Sequence, residues 1–305
     1  MRIGINGSSL IALNRPVGEI IDHAVEAEQD GFASYWIAQL SVPDALTVLG
    51  AAGRMTTSIE LGTAVIATWL RHPLMLAAQA LTVSDMAGGR LALGIGLAHK
   101  TVIEERLRIP FAHPAQHMEE YLAVLLPALR DRSVDATGEI WSGFADATGG
   151  PADVPAPPVL LAAMGPRMLE LAGGTADGNI LWLSGPRTIE TLIAPAMAKA
   201  AAEAGREPGR IVAGVPVCVT DHADDVRGII ATFLAGYNDL PSYRGVMDVE
   251  GVDGPAGVSL VGDEEAVRAG IQSFADAGTT DFTPVEFALD DESRLRTRAL
   301  LKSLL

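Results

Sequence analysis

Short apolar runs alternate along the chain with segments whose apolar residues recur at every third or fourth position, and the alternation repeats eight times. "RIGIN", from Arg2, precedes a helical pattern that puts Val17, Ile20, Ile21, Ala24 and Ala27 on one face, with Gly31 placed to end it. "ASYWIA" precedes the helical "PDALTVLGAAGRM" from Pro43. "IELGTAVIA", from Ile59, leads into "PLMLAAQALTVSDMAGG", where Pro73 suits a helix start and Gly88 a stop. The fourth run is "LALGIGLAHK", residues 91–100. Residues 131–158 break the rhythm: rich in Gly, Pro and Asp, they predict an insertion with a short hairpin around "VDATGEIWSG". "PPVLLAAM", "GNILWLS", "RIVAGVPVCVT" and "DFTPVEFAL" supply the fifth to eighth runs, each followed by a helical pattern.

Runs apolar on both faces suit parallel strands covered by helices. The predicted fold is therefore α/β, a closed (β/α)8 barrel forming a single domain over residues 1–305, with an insertion between strands four and five. An open doubly wound sheet is the alternative. The length of 305 residues fits one such barrel, and 49% apolar with 20% charged residues supplies a core without the signature of disorder.

The formal charge of −16 argues against a nucleic-acid partner, because phosphate binding needs a positive field. Cys218 is the single cysteine and has no internal partner, so nothing calls for an oxidising compartment. No leader pattern opens the chain and no apolar run is long enough to cross a bilayer, so a cytoplasmic location with no membrane partner is expected.

In a barrel of this kind the active site lies at the C-terminal ends of the strands. Those residues are Gln39 and Leu40 after strand two, and Ala64, Val65, Ile66, Ala67, Thr68 and Trp69 at the end of strand three. Gly96 and His99 follow strand four, Ala162, Ala163, Met164 and Gly165 strand five, and Leu183, Ser184 and Gly185 strand six. Such a lining is apolar with sparse polar groups and suits a flat ring system, with the chemistry supplied by a cofactor. "AAMGPRMLELAG" and "WLSGPRTIETLI" both run strand, Gly-Pro-Arg, helix. Each presents a helix start that attracts anions, to which Arg167 and Arg187 would add a bidentate contact; the alternative is that Gly-Pro only starts each helix. No HExxH, cysteine pair, GxSxG or GxxxxGK[ST] is present, and "GIGLAH" puts His99 where a dinucleotide fingerprint needs its third glycine. His113 and His117 lie one helical turn apart without a visible third ligand, so no metal is expected.

The segments "LGTAVIATWLRHPLMLAAQALTVSDMAGGRLALGIGLAH", "PPVLLAAMGPRMLELAGGTADGNILWLSGPRTI", "GYNDLPSYRGVMDVEG" and "SLVGDEEAV" resemble the bacterial luciferase-like barrel oxidoreductases, specifically the branch that uses the deazaflavin coenzyme F420. The resemblance runs from Met1 to the last helix. It implies a non-prolyl cis peptide bulging under the central flavin ring, here joining Ala64 to Val65. It places Ala162, Ala163, Met164 and Gly165 beside the ribityl chain and phosphate, and Ser184, Gly185, Pro186 and Arg187 at a second phosphate loop. Some relatives carry a lysine where Pro186 stands, which leaves Arg187 the only nearby cation. Sugar-phosphate dehydrogenases of this family carry an Asp-His pair where this chain has Gln39 and Leu40, so glucose-6-phosphate oxidation is not expected.

The resemblance also gives His99 a role, since several relatives carry an acidic or polar group there that points at the substrate. Gly94 and Gly96 leave room for the ring to approach the backbone, and His99 at the rim is placed to donate a proton as hydride arrives, with an ordinary pKa near 6.5. Trp69 either walls the pocket or belongs to the core, and His72 orders the turn before Pro73. Tyr243 and Arg244 are candidates to cover the cofactor tail or a small-molecule substrate. The function expected is F420-dependent hydride transfer. An FMN-dependent monooxygenase using molecular oxygen and a non-catalytic flavin-binding protein are the alternatives. Barrels of this family commonly pair as homodimers through their early helices, and the helix from Leu74 to Met86 serves either that contact or the core.

Overall fold

The computed structural model describes residues 1–40, 42–147 and 153–305. The eight expected strands form one parallel sheet that closes on itself. In barrel order they are Arg2–Ile3 with Ile5–Asn6, Ser34–Ile37, Glu60–Thr63 with Ile66–Ala67, Leu91–Gly96, Val159–Leu161, Gly178–Trp182, Arg210–Gly214 and Asp281–Phe282. Closure runs through the first strand, where Arg2–Ile3 pairs with the eighth strand and Ile5–Asn6 with the second. Gly4 between them has no room for a side chain, since a Cβ there would lie 2.3 Å from Ser34 Oγ.

Two strands continue beyond the closed ring. Pro216–Val219 extends the seventh and Val285–Glu286 the eighth, and both join a small parallel sheet whose outer member is Leu260–Gly262. That third strand, within "SLVGDEEAV", is an element that the repeat of eight runs does not contain. The insertion carries the expected hairpin, Val134–Ala136 paired antiparallel with Gly143–Ala145; residues 148–152 of the insertion lie outside the described residues.

The helices bury most of the faces that their spacing predicts, although in the helix Val17–Gln29 the expected Val17 is exposed and Ile21 only partly buried. Val17–Gln29 buries Ile20, Ala24 and Ala27 and is followed by Gly31 at φ 92°, where a side chain is disfavoured. Pro73–Met86 buries Leu76, Ala77, Ala80 and Leu81, with the His72 ring nitrogen accepting from the Leu74 N–H at its start. Asp44, Asp263 and Asp290 cap three further helices through their carboxylates. Inside the barrel Trp36, Ala92, Leu160, Ile180 and Val212 form a separate buried layer beneath the mouth. Trp36 is fully buried and donates its Nε1–H to Ser34 Oγ at 2.8 Å. Among the described residues no helix is long and apolar enough to cross a membrane.

Candidate active site

The third strand bends where it leaves the barrel, and the peptide bond joining Ala64 to Val65 is cis, the position expected for it. Ala64, Val65 and Ala162 pack on the inner layer and form a floor of small apolar groups. Gly96 completes it: a Cβ there would lie 2.9 Å from Val65 Cγ2 and 3.0 Å from Ala162 Cβ. Gly94, one layer deeper, answers to a different need, because a Cβ would meet the Thr63 carbonyl oxygen at 2.0 Å. The two glycines of "LGIG" thus divide their work between strand approach and an open floor. A flat ring fits such a cradle, and a side chain at Gly96 would fill it.

The loop after strand five is held by a residue that sequence reasoning missed. Asn179 is fully buried and clasps the Ala163 backbone with both ends of its amide: Nδ2–H donates to the Ala163 carbonyl at 2.9 Å, and Oδ1 accepts the Ala163 N–H at 3.1 Å. Its signal was a polar residue inside the apolar run "GNILW".

His99 sits at the rim, partly buried, just after Ala98 at φ 55°. Its ring meets Tyr237 edge-on at 5.9 Å and Tyr243 at 5.7 Å, and these two tyrosines meet each other at 4.7 Å. Burial lowers the His99 pKa below the ordinary imidazole value, so the neutral ring dominates at pH 7. Burial raises both phenols, so they stay protonated; at Tyr237 a hydrogen bond from Trp182 opposes the rise, and at Tyr243 the neighbouring Tyr237 adds to it. His99 is therefore equipped to accept a proton, whereas a donor poised near pH 6.5 was expected.

Trp69 stacks on His117 with ring centroids 3.7 Å apart and lies 5.1 Å from Phe111. Its buried Nε1–H has no acceptor among the described residues, and the same holds for Ser184 Oγ. His117 is fully buried. Its Nδ1 accepts from Trp141 Nε1 at 3.1 Å, which leaves the Nε2–H to face Thr68 Oγ1 at 2.9 Å. Burial pushes its pKa down to about 4, with the Glu120 charge opposing weakly. Thr68 Oγ1 in turn lies 3.3 Å from the Gly96 carbonyl, so the insertion hairpin is wired to the floor through one neutral imidazole. His117 does not share a ligand set with His113, and the described residues hold no group of three or more His, Cys, Asp or Glu arranged for a metal.

The remaining expected residues divide. Gln39 donates its backbone N–H to the Val65 carbonyl at 3.3 Å and accepts the Ala45 N–H on Oε1 at 2.8 Å, tying the bulge to the next helix. Gly165 starts the helix Pro166–Gly174 without a side-chain cap and with open space around it, beside the partly buried Met164. Arg167 reaches Glu170 at 2.6 Å and Glu119 at 3.6 Å. Arg244 is turned to its own loop: it pairs with Asp248 at 2.8 Å and donates to the carbonyls of Val252 and Asp253. Tyr243 joins the rim and Arg244 does not, because the helix Pro241–Glu250 separates their directions and the carbonyls after its end bind the guanidinium. At the second Gly-Pro-Arg turn Pro186 begins a short helix and Arg187 is exposed, while Gly185 and Thr188 are covered by Glu250.

The fold and site together are those of a parallel α/β barrel whose mouth carries a floor of small residues and an aromatic rim. Residues 4–281 match the model of the luciferase-like monooxygenase family, and the chain belongs to that family. It is 28% identical to the 5,10-methylenetetrahydromethanopterin reductase of Methanolobus tindarius over 296 residues, covering 94% of this chain and 87% of that one. Two solved structures share the fold. The coenzyme F420-dependent tetrahydromethanopterin reductase of Methanopyrus kandleri has a TM-score of 0.79 at 22% identity, covering 99% of this chain and 97% of that one. An FMN complex of the oxygenating constituent of 3,6-diketocamphane monooxygenase from Pseudomonas putida has a TM-score of 0.78 at 17% identity, covering 99% and 96%.

Proposed function

We propose that this chain is an F420-dependent oxidoreductase that moves hydride between the deazaflavin and a small, largely apolar organic substrate. The observation that carries the reading is the floor of Ala64, Val65, Gly96 and Ala162 at the barrel mouth, faced by the rim of His99, Tyr237 and Tyr243. The kinship with a methylenetetrahydromethanopterin reductase supports it. Deazaflavin, when bound, supplies a two-electron carrier that gives or takes hydride at one ring carbon.

The chain's own residues supply the rest. The floor accepts the ring by shape and apolar contact, and Asn179 fixes the Ala162–Ala163 edge of that floor. His99 handles the proton that accompanies hydride: with its pKa depressed by burial, the neutral imidazole takes a proton from a substrate hydroxyl as hydride leaves, and returns it in the reverse direction. Tyr237 and Tyr243 hold the imidazole edge-on and keep water from it. Trp69 Nε1–H and Ser184 Oγ, two strand-end groups buried without partners among the described residues, are candidates to bond a bound molecule.

The reading is tested by mixing the protein anaerobically with F420 and a panel of small secondary alcohols, or with reduced F420 and ketones or activated alkenes, and following deazaflavin absorbance. Turnover without oxygen is expected. Oxygen consumption with FMN and no turnover with F420 would replace this reading by a flavin monooxygenase.

A further inference from the structure

Asn6 ends the first strand as a polar side chain inside an apolar barrel. Ile3 and Ile5 belong to the core outside the ring, so by the alternation of a strand Gly4 and Asn6 face the interior. Two contacts agree with that direction. A Cβ on Gly4 would lie 2.3 Å from Ser34 Oγ, which is bonded to Trp36 of the inner layer, and Asn6 stands in register with Trp36 itself. Asn6 is 7% exposed whereas Ser34 and Trp36 are fully buried, so its access to solvent is through the mouth.

One end of the Asn6 amide is spent. The Ser8 N–H donates to Oδ1 at 3.0 Å, and because a backbone N–H can only donate, the oxygen lies on that side. Ser8 Oγ accepts the Ala38 N–H at 2.9 Å and gives its own hydrogen to the same Oδ1 at 2.5 Å. The oxygen is thus held by the wall, and Nδ2 with its two hydrogens has no acceptor among the described residues. The same bonds set it beside the bulge of the third strand. Ala38 is followed by Gln39, whose N–H reaches the Val65 carbonyl, and the Ala64 N–H reaches the Ile37 carbonyl at 2.7 Å. A nearly buried amide donor left unspent beside an apolar floor calls for an acceptor from outside the chain.

We propose that Asn6 is a ligand-binding residue whose Nδ2–H group donates to a carbonyl oxygen of the molecule in the barrel mouth. Two sources present that chemistry, a carbonyl of a flavin-type ring and the oxygen of a ketone substrate. The choice between them rests on the function proposed above; the direction of the amide does not.

The test labels asparagine side chains with 15N and follows the Asn6 NH2 pair, identified by its absence from an Asn6→Asp spectrum. Riboflavin, F420 and cyclohexanone are titrated separately, and the same titrations give dissociation constants. Asn6→Asp keeps the acceptor for Ser8 and turns the free donor into a carboxylate oxygen, so it weakens binding of the recognised molecule about tenfold or more. Asn6→Ala serves if that variant does not fold. A saturable shift with riboflavin or F420, together with the weakened binding, assigns the donor to the ring; the same pair of results with cyclohexanone alone assigns it to the substrate. An Asn6 pair that moves with no molecule that binds, or a folded variant that binds all of them as the wild type does, overturns the proposal. If neither ring binds, the flavin-type reading of the mouth fails and cyclohexanone alone decides Asn6: a saturable shift upholds the donor, and none overturns it.

Discussion

Replacing Asn179 by Ala removes the clasp on Ala163, and the cost follows from the geometry. Two hydrogen bonds are lost, at 2.9 and 3.1 Å, in a place with no solvent exposure. Ala163 is also buried, so its N–H and C=O are left without partners in the interior. Each orphaned group costs about 1–3 kcal/mol, which puts the total at about 2–5 kcal/mol after partial hydration of the new space. That is a large fraction of a typical domain's stability of about 5–15 kcal/mol. Urea unfolding followed by tryptophan fluorescence measures the change. Because Ala163 adjoins the floor, cofactor affinity should fall with stability, and the variant should bind more weakly even at temperatures where it is folded. Asn179→Asp separates the two bonds. It keeps the acceptor for the Ala163 N–H but sets a carboxylate against the Ala163 carbonyl; burial raises that carboxyl's pKa, so Asn179→Asp should gain stability relative to wild type as pH falls. A loss under about 1 kcal/mol for Asn179→Ala, with affinity intact, would refute the view that this side chain organises the loop.

Three further outcomes follow from other parts of the site. His99→Ala should lower turnover by about 100-fold or more and leave cofactor affinity unchanged; in the wild type, substrate oxidation should weaken as pH falls through the depressed imidazole pKa, and a flat pH profile would remove the proton role. Gly96→Ala should fold but bind cofactor poorly, because its methyl fills the floor beside Val65 and Ala162, whereas Gly94→Ala should fail to fold because its Cβ meets backbone at 2.0 Å; equal effects of the two substitutions on folding would contradict that division. For His117, the folded pKa of about 4 lies below the ordinary 6.5, so the folded state binds fewer protons and acidification favours the unfolded chain. That part of the stability, about 3 kcal/mol at most, is present above pH 6.5 and lost toward pH 4; His117→Gln should show a smaller drop in urea midpoint between pH 7 and pH 5.

The barrel was legible because its strands are apolar on both faces and its helices on one, a contrast that survives in any register. The interruptions were not. Pro216 and Pro284 each mark a break in their run, but nothing local shows that the hydrogen-bonded ladder resumes beyond it in an outer sheet. Leu260–Gly262 is three residues long, too short for a period to show. At the site, the small residues of the floor were readable as strand ends, and His99 as a titratable group after two glycines. Its depressed pKa was not, since that depends on burial beside Tyr237 and Tyr243 from a distant segment. Arg244 looked like a ligand-facing cation because it stands in a Gly- and Pro-bounded stretch, although Asp248 four residues on was a local signal for a helical ion pair. Its partners, Asp248 and two carbonyls, exist only once the helix forms and turns at Gly251. Glu250 carried no signal toward Thr188 for the same reason.

The central claim is that the small-residue floor holds a flavin-type ring and prefers the deazaflavin. Parallel titrations of the protein with F420 and FMN, read by tryptophan fluorescence under matched conditions, test it most directly. Saturable binding of F420, tighter than FMN and abolished by Gly96→Ala, is the result predicted; binding of neither, or F420 binding indifferent to Gly96→Ala, would contradict it.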